Sequence, residues 1–214
     1  MLEISPQMNT EVLGEVVQAS VMEFTAQCSR LHEPPHFGAF VRIGSFDADS
    51  DPFAPAAEEG AIYGLVYHSY TESREPNRRA TAYGLAGDAL RREQPQIFEL
   101  LRTWFSCLSV AHVVAGQIRT YLPPQPPRVH AMVDPCNDAE VCAITERFGF
   151  LRAVVDSPTC MARDELIAAA IREGSRCRGY DREYFVRAGK EVAMLLRDDQ
   201  DRLRSILRKL EAAA

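Results

Sequence analysis

The stretch FGAFVRIG at residues 37–44, with IYGLVYH at residues 62–68, decides the fold class of the front half of this chain. In both stretches, aromatic and β-branched residues alternate with small or polar ones, a pattern typical of half-buried strands. Gly38 and Gly64 interrupt the runs, and a glycine inside a strand marks a bend, a bulge or a close backbone approach. The two stretches therefore predict strands of a small barrel or sandwich.

The same strand pattern recurs in four further segments, which are residues 11–28, 80–85, 103–122 and 129–133. The first segment has the length of one long strand or of two short ones. The third holds Ala115 and Gly116 at its centre, which predicts two strands joined by a turn at that point. The last segment is expected to return the chain to the sheet.

A proline-rich spacer, PPQPP at residues 123–127, marks the end of the strand-rich half. Such a segment is stiff and cannot donate the hydrogen bonds of a strand ladder. We therefore predict an α+β protein in two domains. Residues 1–135 form a small antiparallel β-barrel, and residues 136–214 form a helical domain.

The helical half shows clear start and stop signals. Asn137, with Glu140 three residues later, predicts a capping box at the start of the first helix. A second helix is predicted from Asp164 to Glu173, and Gly174 is expected to end it.

A third helix is predicted from about Asp181 to Leu210, because apolar residues follow one another at alternating steps of four and three. Gly189 and Asp199 are poor residues for a helix-pairing interface. Packing against the rest of the chain is therefore favoured over a self-pairing coiled coil, which leaves a homodimer as the minor alternative.

Composition sets limits on partners and compartment. The chain of 214 residues carries 30 acidic and 24 basic residues, a formal charge of −6, which disfavours a broad surface for nucleic acid. The start lacks a signal peptide pattern and no window is apolar enough for a membrane span, so we expect a cytoplasmic protein. The six cysteines contain no C-x-x-C pair, which predicts reduced, buried thiols without structural zinc.

An acidic segment gives the sharpest local pattern for a ligand. Asp47, Asp49 and Asp51 stand at alternate positions with Glu58 further on, a spacing that resembles a calcium loop. However, Pro52 stands where such a loop needs glycine. An acidic surface loop is therefore preferred, and calcium binding at Asp47–Glu58 stays open.

No catalytic motif is evident in the sequence. The nearest approach to a phosphate loop is Gly189-Lys190-Glu191, which has an acidic residue in place of the required hydroxyl. No Gly-x-Ser-x-Gly elbow is present. We therefore expect a protein that is not an enzyme, with no catalytic residues, metal site or cofactor.

Two arginine pairs form the candidate interaction patch. Arg78-Arg79 and Arg91-Arg92 could meet a partner's carboxylates, or phosphate, through bidentate hydrogen bonds. The alternative is that they are ordinary solvated surface arginines.

The segments GAFVRI (38–43), IYGLV (62–66) and LRREQPQIFELLR (90–102) resemble the HAS-barrel family, the small β-barrel shared by HerA-type DNA translocases and rotary ATP synthases. YLPP at residues 121–124 adds to this resemblance. It covers roughly residues 8–135 and is closest to the standalone HAS-barrel proteins of photosynthetic bacteria. In the wider family the barrel precedes a motor domain and helps form a hexamer or a docking surface. Here helices follow it, so the resemblance implies docking without ATPase activity.

We therefore expect a non-enzymatic adaptor or assembly module that docks onto a larger complex, such as a HerA-type or rotary ring ATPase. Its interface is predicted at Arg78, Arg79, Arg91, Arg92, Gln94 and Gln96. The alternative is a nucleic-acid-associated barrel protein that works with a DNA translocase or nuclease. Steep salt dependence of binding would mark that alternative, which the acidic balance disfavours.

Overall fold

The structure, a computed structural model, describes residues 12–44, 60–75, 81–85 and 87–211. The strands within these residues are β1 (Gly14–Ala19), β2 (Glu23–Cys28), β3 (Phe40–Ile43), β4 (Ile62–Ser73), β5 (Leu101–Val114), β6 (Gln117–Arg119) and β7 (Met132–Pro135). The helices are α1 (Gly87–Glu93), α2 (Pro95–Leu100), α3 (Asp138–Thr145), α4 (Phe150–Val155), α5 (Arg163–Arg176), α6 (Arg182–Leu195) and α7 (Gln200–Glu211).

Six of the strands close into an antiparallel barrel in the order β2-β1-β7-β3-β4-β5, and pairing of β2 with β5 completes the circle. Strand β6 extends the sheet from the free edge of β5, beyond the part that β2 covers. Closure pairs the strand edges that would otherwise be open to other chains. The prediction of a small antiparallel barrel followed by helices is confirmed.

The strand predictions hold with two corrections. Residues 11–28 form two short strands, and Ala115 and Gly116 make the turn between β5 and β6 with φ of 50° and 71°. The strand near residue 62 is longer than predicted, because β4 continues to Ser73. The short strand expected at residues 80–85 is wrong, since residues 81–85 lie outside any strand.

Two glycines allow close packing at the positions that the sequence marked. Gly38 has φ of +84°, and a Cβ placed on it would lie 2.5 Å from the Cβ of Ala169 in α5. A Cβ on Gly64 would lie 2.6 Å from Cζ of Phe24 inside the barrel. Gly38 therefore lets the chain entering β3 approach a helix, and Gly64 makes room for an aromatic ring.

Two cores stabilise the molecule. The barrel interior is filled by apolar side chains from six strands, which include Val16, Phe24, Val41, Val66, Phe105 and Val133. The second core lies between the barrel wall and helices α3 to α7. In it Phe40 meets Phe150 edge to face, with ring centroids 5.7 Å apart. This core crosses the predicted boundary at residue 135, and the division into two domains stays a prediction.

The helix signals are confirmed at the first helix and wrong at the second. The side chain of Asn137 accepts a hydrogen bond from the backbone N–H of Glu140, and the Glu140 carboxylate accepts one from the backbone N–H of Asn137. Gly174 does not end α5, which continues to Arg176. A Cβ on Gly174 would lie 2.1 Å from the Tyr184 hydroxyl oxygen, so this glycine gives room to the tyrosine of α6.

The long third helix is interrupted. Residues 196–199 separate α6 from α7, and Oδ1 of Asp199 accepts a hydrogen bond from the backbone N–H of Arg202 at 3.2 Å. The residue that suited a helix-pairing interface poorly therefore caps a new helix. Leu196, Ile206 and Leu210 are buried in the second core, so this apolar stripe packs within the chain.

One arginine ties the helices together. Arg178 donates to the backbone carbonyls of Cys142 at 2.6 Å and Gly174 at 2.6 Å, and its guanidinium carbon lies 4.4 Å from the centroid of the Tyr184 ring. It also donates to Glu146 at 2.8 Å, and Arg187 donates to the same carboxylate at 3.0 Å. These charged hydrogen bonds lower the pKa of Glu146.

Acid is expected to weaken this arrangement. Because the pKa of Glu146 is lowered on folding, its contribution to stability is complete above the ordinary glutamate pKa and is lost as the pH falls through the folded value. Glu146→Gln should lower the free energy of unfolding by about 0.2–1 kcal/mol at pH 7, since the group is largely exposed. Urea titrations at pH 7 and pH 3 check this. An equal deficit at both pH values would contradict it.

Candidate functional site

A β-ribbon with two short helices projects from the barrel. Strand β2 pairs with β5 only from Trp104 onward, so residues 71–73 and 101–103 pair with each other beyond the barrel. Helices α1 and α2 follow on this ribbon and bury no residue. We call residues 71–75 and 87–103 the arm. The arm is a surface whose side chains are largely free of the two cores.

The base of the arm is fixed to the barrel by hydrogen bonds. The hydroxyl groups of Thr71 and Thr103 lie 2.8 Å apart, and the Thr103 oxygen accepts from the backbone N–H of His32 at 2.8 Å. Pro95 stands at the first turn of α2, where a missing N–H is tolerated. The arm is therefore anchored where it leaves the barrel, and its two helices are exposed.

Four of the predicted interface residues lie together on the arm. The guanidinium carbon of Arg91 is 4.9 Å from the centroid of the Phe98 ring, and Arg92 donates to the carbonyl of Asp88 at 3.3 Å. Gln96 donates to Gln94 at 2.6 Å across the junction of α1 and α2. Arg91, Arg92 and Gln96 are exposed and Gln94 is half-buried. The other two predicted residues, Arg78 and Arg79, lie outside the described residues.

The charge of the arm is mixed. Its arginines are Arg74, Arg91, Arg92 and Arg102, and its acidic residues are Glu72, Glu75, Asp88, Glu93 and Glu99. Opposite charges therefore alternate over a short distance. Nucleic-acid binding depends on basic residues that neutralise successive phosphates, whereas mixed charges suit a protein surface.

A cleft for which the sequence shows no pattern lies where the barrel meets the helices. On one edge of β5, pairing with β2 stops at Leu108 and pairing with β6 starts at His112. A cavity of about 400 Å³ opens at this gap. Its apolar walls include Met22, Leu108, Val110, Leu122, Ala153 and Pro158.

Glu23 is the principal charged group within the cleft. Its Oε2 accepts hydrogen bonds from the Tyr67 hydroxyl at 2.9 Å and the Thr159 hydroxyl at 2.7 Å. Burial raises the pKa of Tyr67 above the ordinary tyrosine value, so the hydroxyl is protonated at neutral pH and donates to the carboxylate. Thr159 belongs to the connection between α4 and α5. Glu23 therefore joins the barrel to the helical half across the cleft.

The lining of the cleft also includes an ion pair and a buried hydroxyl group. Arg152 and Asp156 form an ion pair with Nε and Oδ2 3.6 Å apart, and both are exposed. Ser109 is 1% exposed and its hydroxyl has no hydrogen-bond partner among the described residues.

Glu23 is recognisable in the sequence only as part of an alternating strand. Nothing in its local pattern separates it from any other polar strand residue.

The other candidate sites are placed as follows. Gly189-Lys190-Glu191 lies in the interior of α6, which does not have the loop geometry that cradles phosphate. The calcium candidate Asp47–Glu58 lies outside the described residues. Within the described ranges, no group of three or more histidine, cysteine or acidic side chains is arranged to hold a metal ion. All six cysteines are free thiols.

In the part of the chain that the structure describes, no helix has the length and apolar character needed to cross a membrane. No family model matches the sequence, and no curated protein shows significant similarity to it.

Proposed function

We propose that this protein is a non-enzymatic adaptor or assembly module that docks onto a larger protein complex through the arm. The observation that carries the proposal is the arm itself, two helices that bury no residue on a ribbon that leaves the barrel. A surface that contributes so little to the cores is available for a partner. Exposed arginines on it can form bidentate hydrogen bonds with carboxylates.

The class of partner that we propose is a ring ATPase of the HerA type or the rotary type. Support for this part comes from the resemblance of residues 38–43, 62–66 and 90–102 to HAS-barrel proteins. The third of these segments forms the end of α1, all of α2 and the start of β5, so this part of the resemblance coincides with the arm. We propose that the arm is the docking element.

Mixed charge favours a protein partner over nucleic acid. The acidic side chains of the arm alternate with its arginines, and the whole chain has a formal charge of −6. The net negative charge would repel a phosphate backbone, and the mixed charges of the arm offer it no continuous basic surface. The protein partner should instead present acidic side chains opposite Arg91 and Arg92.

Reversing the charge of Arg91 and Arg92 is expected to abolish partner binding without unfolding the protein. Both side chains are exposed, so the double variant Arg91→Glu/Arg92→Glu should keep its fold while losing at least tenfold in recovered partner. The measurement is mass spectrometry of complexes recovered from native cells with a tagged copy at moderate salt.

The matched control is Arg204→Glu/Arg208→Glu, which makes the same charge change at two exposed positions of α7. It should recover the partner as the unaltered protein does. Retention of the partner by the arm variant would overturn the docking proposal. If nuclease treatment removes the recovered partner from the unaltered protein and from both variants, the nucleic-acid alternative is supported instead.

A further inference from the structure

We propose that the cleft between the barrel and α4 is a binding site for a small amine, with its ammonium group at Glu23 and its apolar body against the cleft walls. The inference is independent of the docking role of the arm. It rests on the size and lining of the cavity and on the charge inside it.

The cavity has the dimensions of a ligand site. Its volume of about 400 Å³ falls within the range of small-molecule pockets, roughly 300–1,000 Å³. Such pockets combine mostly apolar walls with a few polar groups that orient the ligand. Here Met22 and Leu122 form part of the apolar wall, and Glu23 is a polar group in the same lining.

The fold explains why the cavity exists. The β5 edge changes partner from β2 to β6. Beyond the hydrogen bond from the Ser109 backbone N–H to the Met22 carbonyl, neither strand covers the segment up to His112. Helix α4 and the connection after it lie over this gap, with Ala153 and Pro158 in the wall. The opening is therefore produced by the sheet itself and does not depend on the arm.

The charge in the cleft favours a cation. Arg152 and Asp156 pair with each other, which leaves Glu23 as the unbalanced charge among the described residues of the lining. The described donors to the Glu23 carboxylate, from Tyr67 and Thr159, both meet Oε2 and are neutral. Oε1 is thus the acceptor offered to an incoming N–H group, and a charged donor makes the stronger hydrogen bond.

Three probes of similar shape and different charge test the inference. They are 2-phenylethylamine, the neutral 2-phenylethanol and the anionic 3-phenylpropanoate. Titration of the isotopically labelled full chain, followed by NMR, measures affinity and identifies the residues whose signals shift. We expect the amine to bind most tightly and the anion most weakly, with shifts at Met22, Leu108 and Leu122.

Glu23→Gln separates the contribution of charge from that of shape. It should weaken binding of 2-phenylethylamine at least tenfold, because a charged hydrogen bond contributes about 1.5–3 kcal/mol and a tenfold change equals about 1.4 kcal/mol. The affinity for the neutral 2-phenylethanol should stay within about twofold. The matched control is Glu15→Gln, a carboxylate on β1 that pairs with His130 away from the cleft. This control should bind all three probes as the unaltered protein does.

Filling the cleft tests its position. Ala153→Trp, or Ala153→Leu if the larger side chain prevents folding, should reduce binding of both the amine and the alcohol at least tenfold. The inference is overturned if none of the probes binds, if the anion binds as tightly as the amine, or if the shifted signals lie elsewhere. Equal binding of the amine to Glu23→Gln would also overturn it.

Discussion

Phe150→Ala should lower the free energy of unfolding by about 3–5 kcal/mol, the usual loss for a buried phenylalanine. Phe150 is 0% exposed, and its ring meets Phe40 of the barrel edge to face. Truncation therefore removes apolar contacts on both sides of the second core. Equilibrium unfolding in urea should show a lower midpoint with an unchanged slope.

The control for this prediction is Arg152→Ala, an exposed position in the same helix, which should change stability by no more than about 0.5 kcal/mol. A loss below about 1 kcal/mol for Phe150→Ala would contradict the role given to the second core.

The sole tryptophan, Trp104, reports on the barrel, whereas circular dichroism reports mainly on the helices. Because the two halves share this core, both signals should change together. Separate transitions would instead support two independent domains at residue 135.

Gly38→Ala is expected to destabilise the fold by about 2–5 kcal/mol, the sum of two costs. At φ of +84° any residue with a Cβ is strained. The new methyl group would also lie 2.5 Å from the Cβ of Ala169. Both atoms are attached directly to backbone, so neither can rotate away, and the barrel and α5 must move apart. Thermal and urea unfolding measure the loss.

Gly116→Ala is the matched control, because Gly116 has φ of +71° and nothing within 4 Å of the position of the new Cβ. This variant should lower the free energy of unfolding only by the cost of a positive φ for a residue with a Cβ, about 1–2 kcal/mol. The double variant Gly38→Ala/Ala169→Gly should be more stable than the sum of the two single changes predicts, by at least about 1 kcal/mol. Strict additivity would show that the contact between Gly38 and Ala169 does not limit packing.

The parts of the fold that the sequence predicted correctly depend on local chemistry. Gly38 and Gly64 were recognisable because a glycine weakens a strand, so its presence within a strand pattern indicates a bend or a close contact. The turn at Ala115-Gly116 and the capping box at Asn137 are likewise set by a few consecutive residues. Such features can be predicted without knowing which distant residues pack against them.

The parts that the sequence could not predict depend on contacts between distant residues. Gly174 looked like a helix end, and only the position of Tyr184 shows why it stays inside α5. The cleft could be predicted only if it were known that β5 pairs with β2 on one part of its edge and with β6 on the next. The arm was predicted through its arginines, but its projection follows from the unequal lengths of neighbouring strands, which the alternation pattern does not reveal.

The strand order β1-β7-β3 also determines when the barrel can form during synthesis. Strand β7 is the last to be translated, yet it lies between two strands of the first part of the chain. On the ribosome, β1 and β3 must therefore wait with one unpaired edge each until Pro135 has emerged from the exit tunnel. Open strand edges promote association between nascent chains. Closure of the barrel thus requires that the first 135 residues of the chain are all available for pairing.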